Sequence, residues 1–312
     1  MPATSSSARP AGRPGSRDPG THTGGRVRNA PVERGLGMRP APDAGPDRVR
    51  VRAPLTDAVL LPGGAVAPVL PATLADSGIG FLVVSRGRLA AGAPTVDLRL
   101  DLAGTPAADS EWLTADLALL HLDDRIGLGR AEMRDDAGTL VAHAMVTMTL
   151  TGVPDRPGGL AAAGRAADSA TPAASGPASD GHPDDDFRAE LPPFDPTALR
   201  PEALRIDPET GDALYTPGVG ATNLNGTTHG AVLSGFAQAA QVAYLDRHGA
   251  AGTRPLSLTV DFLRPVQVDD ELRARTEVVR DGRRFWTLRT ELLLPDGRAA
   301  VRAVGAGLRT PA

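Results

Sequence analysis

The residues best suited to chemistry lie in one stretch, Asn223-Leu224-Asn225-Gly226-Thr227-Thr228-His229-Gly230-Ala231, which runs straight into an apolar helix expected from about Gly230 to Arg247. A backbone N–H at a helix N-terminus, aided by the helix dipole, stabilises negative charge developing on a nearby oxygen. Gly230 supplies such an N–H, and without a side chain it lets a reactant come close. His229 beside it reads either as a proton carrier or as a hydrogen-bonded loop residue. Asn223 reads either as a donor to a reactant or as a turn-former.

The chain carries a second, altered copy of this stretch. Aligning Gly64 with Gly226 sets Ala67 against His229, Pro68 against Gly230 and Asp76 against Gln238; Gly64 to Asp76 and Gly226 to Gln238 span the same number of residues. The first copy therefore has a carboxylate where the second has an amide. The second has a loop N–H where the first has Pro68, which has none. Taken alone, Asp76 reads as a helix-surface acid. In this register it becomes a candidate general base or nucleophile.

Composition removes other chemistries. The chain has 312 residues and no Cys, which excludes disulfides, thiolate metal sites and a Cys nucleophile. All 33 basic residues are Arg, so there is no Lys to form a Schiff base or act as a base. Net charge is −4, which gives no general attraction to nucleic acid or to an anionic membrane. No apolar run approaches the roughly 18 residues of a membrane span, and the N-terminus has no signal-peptide core. These readings point to a cytoplasmic protein with no nucleic-acid or membrane partner. No cofactor is called for. No metal site is expected either: the run Asp184-Asp185-Asp186 has no His or further carboxylate at ligand spacing.

Residues 1–50 are rich in Gly, Pro, Ser, Ala and Arg, and are read as a disordered tail that cannot offset its ordering entropy. Residues 154–190 are read as a flexible Ala/Pro/Gly/Asp linker. Between and after them lie two ordered blocks, 51–153 and 191–312, each with a Gly-containing loop, an apolar helix and alternating strands. The first helix is expected from about Pro68 to Val84. Strands are expected around Val96–Leu102 and Leu258–Phe262, and near 112–122, 125–134, 139–150, 271–280, 284–294 and 298–309. Asp281-Gly282 and Asp296-Gly297 are hairpin signals. A buried helix followed by an antiparallel sheet, twice over, is an α+β plan. Aromatics are only 3% of residues, so the cores must be built from Ala, Val and Leu.

The pattern Asn-x-x-Gly-x-x-His-Gly ahead of a buried helix resembles the signature of the PaaI-like hotdog acyl-CoA thioesterases, with Ala231 where that family usually has a second Gly. Thr259-Val260-Asp261-Phe262-Leu263-Arg264-Pro265 is similar to the family's strand after the central helix. The resemblance implies two tandem hotdog domains, each a long helix wrapped by an antiparallel sheet and paired as a pseudo-dimer. It implies hydrolysis of acyl-CoA thioesters, with acyl-CoA as the binding partner. In the family a carboxylate lies nine residues after the motif His, and sites form across a pair of domains. Carried over, Asn223, His229 and Gly230 from the second half join Asp76 and Thr95 from the first; Thr95 matches the family's Ser/Thr at the start of the strand. The opposite combination of Pro68, Gln238 and Thr259 should be dead. Hotdog proteins commonly associate, so a homo-oligomer of tandem units is also implied.

Two other functions fit the same residues. A split, degenerate motif also suits a non-catalytic acyl-CoA binding protein. A hotdog dehydratase is disfavoured, because no Asp and His are spaced like the hydratase signature. The Arg residues offer phosphate contacts for CoA, but none stands out among so many.

Overall fold

A computed structural model of the chain describes residues 30–41, 49–154, 190–249 and 253–309. Within these, α1 spans Pro31–Gly35, α2 Val69–Gly87 and α3 Gly230–Arg247. The first-half strands are β1 (Arg39–Pro40), β2 (Val49–Pro54), β3 (Thr95–Leu102), β4 (Trp112–Leu122), β5 (Ile126–Asp135) and β6 (Leu140–Thr149). The second half adds β7 (Arg205–Ile206), β8 (Ala213–Tyr215), β9 (Thr253–Phe262), β10 (Leu272–Asp281), β11 (Phe285–Leu293) and β12 (Ala299–Arg309). All of them join one 12-stranded sheet in the order β1-β2-β4-β5-β6-β3-β9-β12-β11-β10-β8-β7.

Period-two burial explains why the sheet has one inner face. Leu98 and Leu100 of β3, and Leu258 and Val260 of β9, are fully buried, while Arg99 and Thr259 between them are exposed. β3 and β9 pair antiparallel, with Asp97 opposite Asp261, Arg99 opposite Thr259 and Asp101 opposite Ser257. The ladder is thus symmetric about Arg99–Thr259 and joins the halves by backbone hydrogen bonds.

The helices lie on the inner face. Leu70, Leu74 and Ile79 of α2 and Phe236 of α3 are completely buried. With so few aromatics, close backbone approach fills the space instead. A Cβ on Gly129 would sit 2.6 Å from Ile79, and one on Gly235 would sit 2.9 Å from Val69. Glycine at these points lets helix meet sheet and α3 meet α2 without a void.

The expectations for the major elements hold to within a residue or so, with two exceptions: α2 runs to Gly87, where Arg88 takes a left-handed conformation (φ 52°), and β9 begins at Thr253, five residues before the expected Leu258. The short strands β1, β7 and β8 have too few residues to show a period, and β2 is not among the expected strands although Val49, Val51 and Ala53 alternate with Arg50 and Arg52. Two expectations change. Residues 30–41, counted in the tail, form α1 and β1, because Val32, Leu36 and Met38 bury apolar surface in the main core. And α2, with mean hydropathy 1.2, has the length and apolarity of a membrane span; 78% of that window is buried inside the protein, as befits a core helix. The expected disorder of residues 1–29 and 42–48, and the linker between 155 and 189, lie outside the described residues.

Candidate active site

The two loops preceding the long helices have the same backbone geometry. Gly64 and Gly226 take φ of 80° and 81°, the left-handed region that suits glycine. An isolated bridge joins Leu60 to Val66 in one loop and Thr222 to Thr228 in the other. The N–H of Ala67 donates to Val59 and that of His229 to Ala221, both at 2.8 Å. The alignment of the halves is therefore physical as well as sequential, and Asp76 and Gln238 occupy matching places on their helices.

The loop from the second half meets the carboxylate from the first. A Cβ on Gly230 would lie 3.0 Å from Asp76 Oδ2, and 3.2 Å and 3.3 Å from two atoms of the Phe262 ring. Among the described residues, the Gly230 N–H makes no hydrogen bond. Asp76 is 7% exposed. Its Oδ1 accepts from Thr95 Oγ1 at 2.6 Å, and its Oδ2 lies 3.4 Å from His229 Nδ1. Thr95 belongs to the same half as Asp76 and holds that carboxylate from the first residue of β3.

His229 caps α3: its Nδ1 accepts from the Ala231 N–H at 3.1 Å. Its Nε2 lies 3.1 Å from Ser77 Oγ and 3.4 Å from Glu33 Oε1, and Ser77 Oγ donates to that same Oε1 at 2.6 Å. The imidazole is thus enclosed between two buried carboxylates, Glu33 from α1 and Asp76 from α2.

Their acidities follow from that enclosure. Burial pushes the Asp76 carboxyl above its ordinary value, and the charge of His229 and the Thr95 hydrogen bond offset this only in part. Burial would raise Glu33 too, but the hydrogen bond and charge of His229, with the Ser77 hydroxyl, hold it below its ordinary value. Burial would lower His229, but Glu33 and then Asp76 outweigh it and hold the ring above its ordinary value.

A cavity of about 730 Å³ opens on this cluster. Its walls include Phe81, Val84, Met148, Leu233 and Phe262, and Arg264 is the cation among the lining residues. Such a space combines an apolar channel with a few converging polar groups, as ligand sites generally do.

Of the expected site residues, Asp76, Thr95, His229 and Gly230 come together as described. Asn223 lines the cavity, but its polar atoms serve its own loop. Its Oδ1 accepts from the N–H groups of Asn225 and Thr227, at 2.8 and 3.2 Å, and its Nδ2 donates to Thr227 Oγ1 at 2.9 Å. It therefore shapes the turn. Asn225, not singled out in the sequence, reaches across to the first half, donating to the Gly92 carbonyl at 3.3 Å. Glu33 and Ser77 were also missed. The signals available for Glu33 were Pro31 at a helix start and the apolar spacing of Val32, Leu36 and Met38.

The opposite half-site differs from expectation in one member. Symmetry about Arg99–Thr259 relates Leu98 to Leu258, and hence Thr95 to Pro255, so exposed Thr259 is not its counterpart. Pro68, Gln238 and Pro255 therefore replace Gly230, Asp76 and Thr95. Gln238 is 1% exposed, and neither of its side-chain polar atoms has a partner among the described residues. Among the described residues, no group of His and acidic side chains is arranged to hold a metal ion.

Residues 6–150 match a family model described as the acyl-CoA thioesterase C-terminal domain, and residues 220–306 match one described as the acyl-CoA thioesterase N-terminal domain. The two matches together take in well over half of the chain, in the reverse of the order that those descriptions imply. No curated protein matches the chain. Among solved structures it is similar to one described as an oleoyl thioesterase (putative) from Lactobacillus plantarum, at 12% identity and a TM-score of 0.54 over 87% of this chain and 99% of that one. It is also similar to a putative thioesterase from Novosphingobium aromaticivorans, at 14% identity and a TM-score of 0.51 over 86% and 100% of the two chains. A third, the tesB protein of Mycobacterium avium subs paratuberculosis, aligns at 10% identity and a TM-score of 0.50 over 84% and 93%. At such identities these structures speak for the fold alone.

Proposed function

The chain belongs to the hotdog-fold acyl-CoA thioesterases, and from that premise we propose that it hydrolyses acyl-CoA to free acid and CoA at one composite site. In this reading the halves pair as a pseudo-dimer, the second supplying the oxyanion loop and the first the carboxylate. Within the family, the loop from Asn223 to Ala231 is read as PaaI-like in pattern. The observation that carries the proposal is the approach of Asp76 Oδ2 to Gly230, whose N–H makes no hydrogen bond among the described residues.

The mechanism follows from the geometry. The acyl chain enters the apolar part of the cavity, and the thioester carbonyl oxygen takes the Gly230 N–H. That donor, at the start of α3, stabilises the oxyanion as it forms. Asp76 acts as general base on a water beside the carbonyl carbon. Thr95 keeps Oδ1 occupied, so that Oδ2 faces the reacting atoms. The oxyanion then collapses, the C–S bond breaks and CoA leaves as the thiol. The companion site, with Pro68 for the donor and Gln238 for the base, does not turn over.

The test is CoA release from a panel of acyl-CoAs by the wild type and by Asp76→Asn. Release by the wild type and its loss in the variant is the expected result. A wild type that binds acyl-CoA and releases no CoA would overturn the proposal in favour of a binding protein.

A further inference from the structure

Glu33 has no place in the mechanism above, yet it is a 2% exposed carboxylate beside a catalytic cluster. Its Oε1 takes the Ser77 hydroxyl and faces His229 Nε2. Its Oε2 has no hydrogen-bond partner among the described residues. A buried carboxylate is stabilised by the donors aimed at it, here the Ser77 hydroxyl, and further by any positive charge that His229 takes up. Around His229 the charged or titratable neighbours are Glu33 on α1 and Asp76 on α2; Ser77 on α2 links the first of them to the ring.

The tautomer of His229 follows from its partners. A backbone N–H can only donate, so Nδ1, which takes the Ala231 N–H, carries the lone pair, and the ring proton sits on Nε2. Ser77 Oγ gives its own proton to Glu33, so it accepts from Nε2. The array runs in one direction: His229 Nε2–H to Ser77 Oγ, and Ser77 O–H to Glu33. Its far end leaves Nδ1 3.4 Å from Asp76 Oδ2.

Resting on the hydrolase reading above, we infer that Glu33 is a positioning residue for hydrolysis: through Ser77 it takes up the hydrogen bond of the Nε2 proton, and so presents Nδ1, kept unprotonated by the Ala231 N–H, to Asp76 as the store for the proton that Asp76 takes from water. The water oxygen forms the C–O bond as its proton passes to Oδ2, and the carbonyl π pair moves to the oxygen held by Gly230. The proton then moves from Oδ2 to Nδ1, and the Ala231 N–H gives up its bond to that nitrogen. The resulting imidazolium lies between Glu33 and Asp76, both ionised. As the C–S bond breaks, sulfur keeps the bonding pair and the proton returns to it by way of Asp76. Asp76 is again a base for the next water.

The test uses full-length protein labelled with ¹⁵N-histidine, with His229 assigned from the signal absent in His229→Gln. In the wild type, the nitrogen shifts should report the Nε2–H tautomer for neutral His229. Glu33→Gln removes the charge and keeps the shape, so the His229 titration midpoint should fall. In the same variant kcat should fall at least tenfold, with KM within about twofold. Ser77→Ala keeps both charges and cuts the link, so kcat should fall with KM little changed while the Ala231 N–H still holds the Nε2–H tautomer, which gives a second reading if Glu33→Gln does not fold. An Nδ1–H tautomer in the wild type, an unchanged midpoint in folded Glu33→Gln, or unchanged kcat would each overturn the inference. The NMR measurements need no substrate, so they decide whether Glu33 sets the state of His229 even if no acyl-CoA is hydrolysed.

Discussion

Substituting Gly230 separates crowding from the loss of a donor. An alanine Cβ would stand 3.0 Å from Asp76 Oδ2 and 3.2 Å from the Phe262 ring, so the carboxylate must shift by a few tenths of an ångström. Asp76 can shift only by straining its 2.6 Å bond from Thr95 or by closing on His229. A misplacement of 1 Å can cost on the order of 10²-fold, so this smaller one should lower kcat/KM about tenfold. Stability should not fall, since Ala exceeds Gly in helix propensity by up to about 1 kcal/mol. Gly230→Pro adds the same crowding and also deletes the N–H. Proline is tolerated at a helix start, and Pro68 occupies the matching place before α2. The second variant should therefore lose roughly a further 10²–10³ in kcat, about 3–4 kcal/mol, as when one oxyanion donor is removed. The assay is kcat and KM for CoA release, with thermal melts confirming folded protein. Equal activity in the alanine and proline variants would refute the donor role of Gly230. A fully active alanine variant would refute the crowding.

Asp76→Asn should lower kcat by roughly 10²–10⁴, the usual worth of a general base, with acyl-CoA binding retained by calorimetry. The base form of Asp76 is the ionised one and its acidity is weakened by burial, so kcat/KM should fall with decreasing pH at a value above the ordinary carboxylate range; that value belongs to the coupled Asp76–His229 pair. Thr95→Val removes a bond that favours the ionised form, so in a pH–rate profile the same limb should move to still higher pH. Gln238→Leu should leave turnover within about twofold and raise the melting temperature, because an unpartnered buried amide costs about 1–3 kcal/mol.

Much of this site could be read from residue spacing. The twelve-residue interval from glycine to helix position 76 or 238 survives because loop and helix form one rigid unit, closed by the same backbone bonds in both halves. Burial alternating along β3 and β9 was equally legible, since a half-buried strand must alternate. What failed was anything set by contacts far apart in the chain. Thr259 was matched to Thr95 by resemblance, whereas the partner is fixed by the register of β3 against β9, which only pairing reveals. Asn223 is a different case: its partners lie within its own loop, and its residue type suits both a turn-former and a donor to a reactant. Glu33 was lost because composition over fifty residues hides one buried turn. Its role depends on Ser77 and His229, 44 and 196 positions along the chain.

The ladder between β3 and β9 has a genetic corollary. A seam symmetric about Arg99 and Thr259 holds no record of which half was translated first. The proposed site needs one half to carry Gly230 and the other Asp76, whatever their sequence along the message. The reversed order of the two domain matches is then no obstacle to a shared architecture.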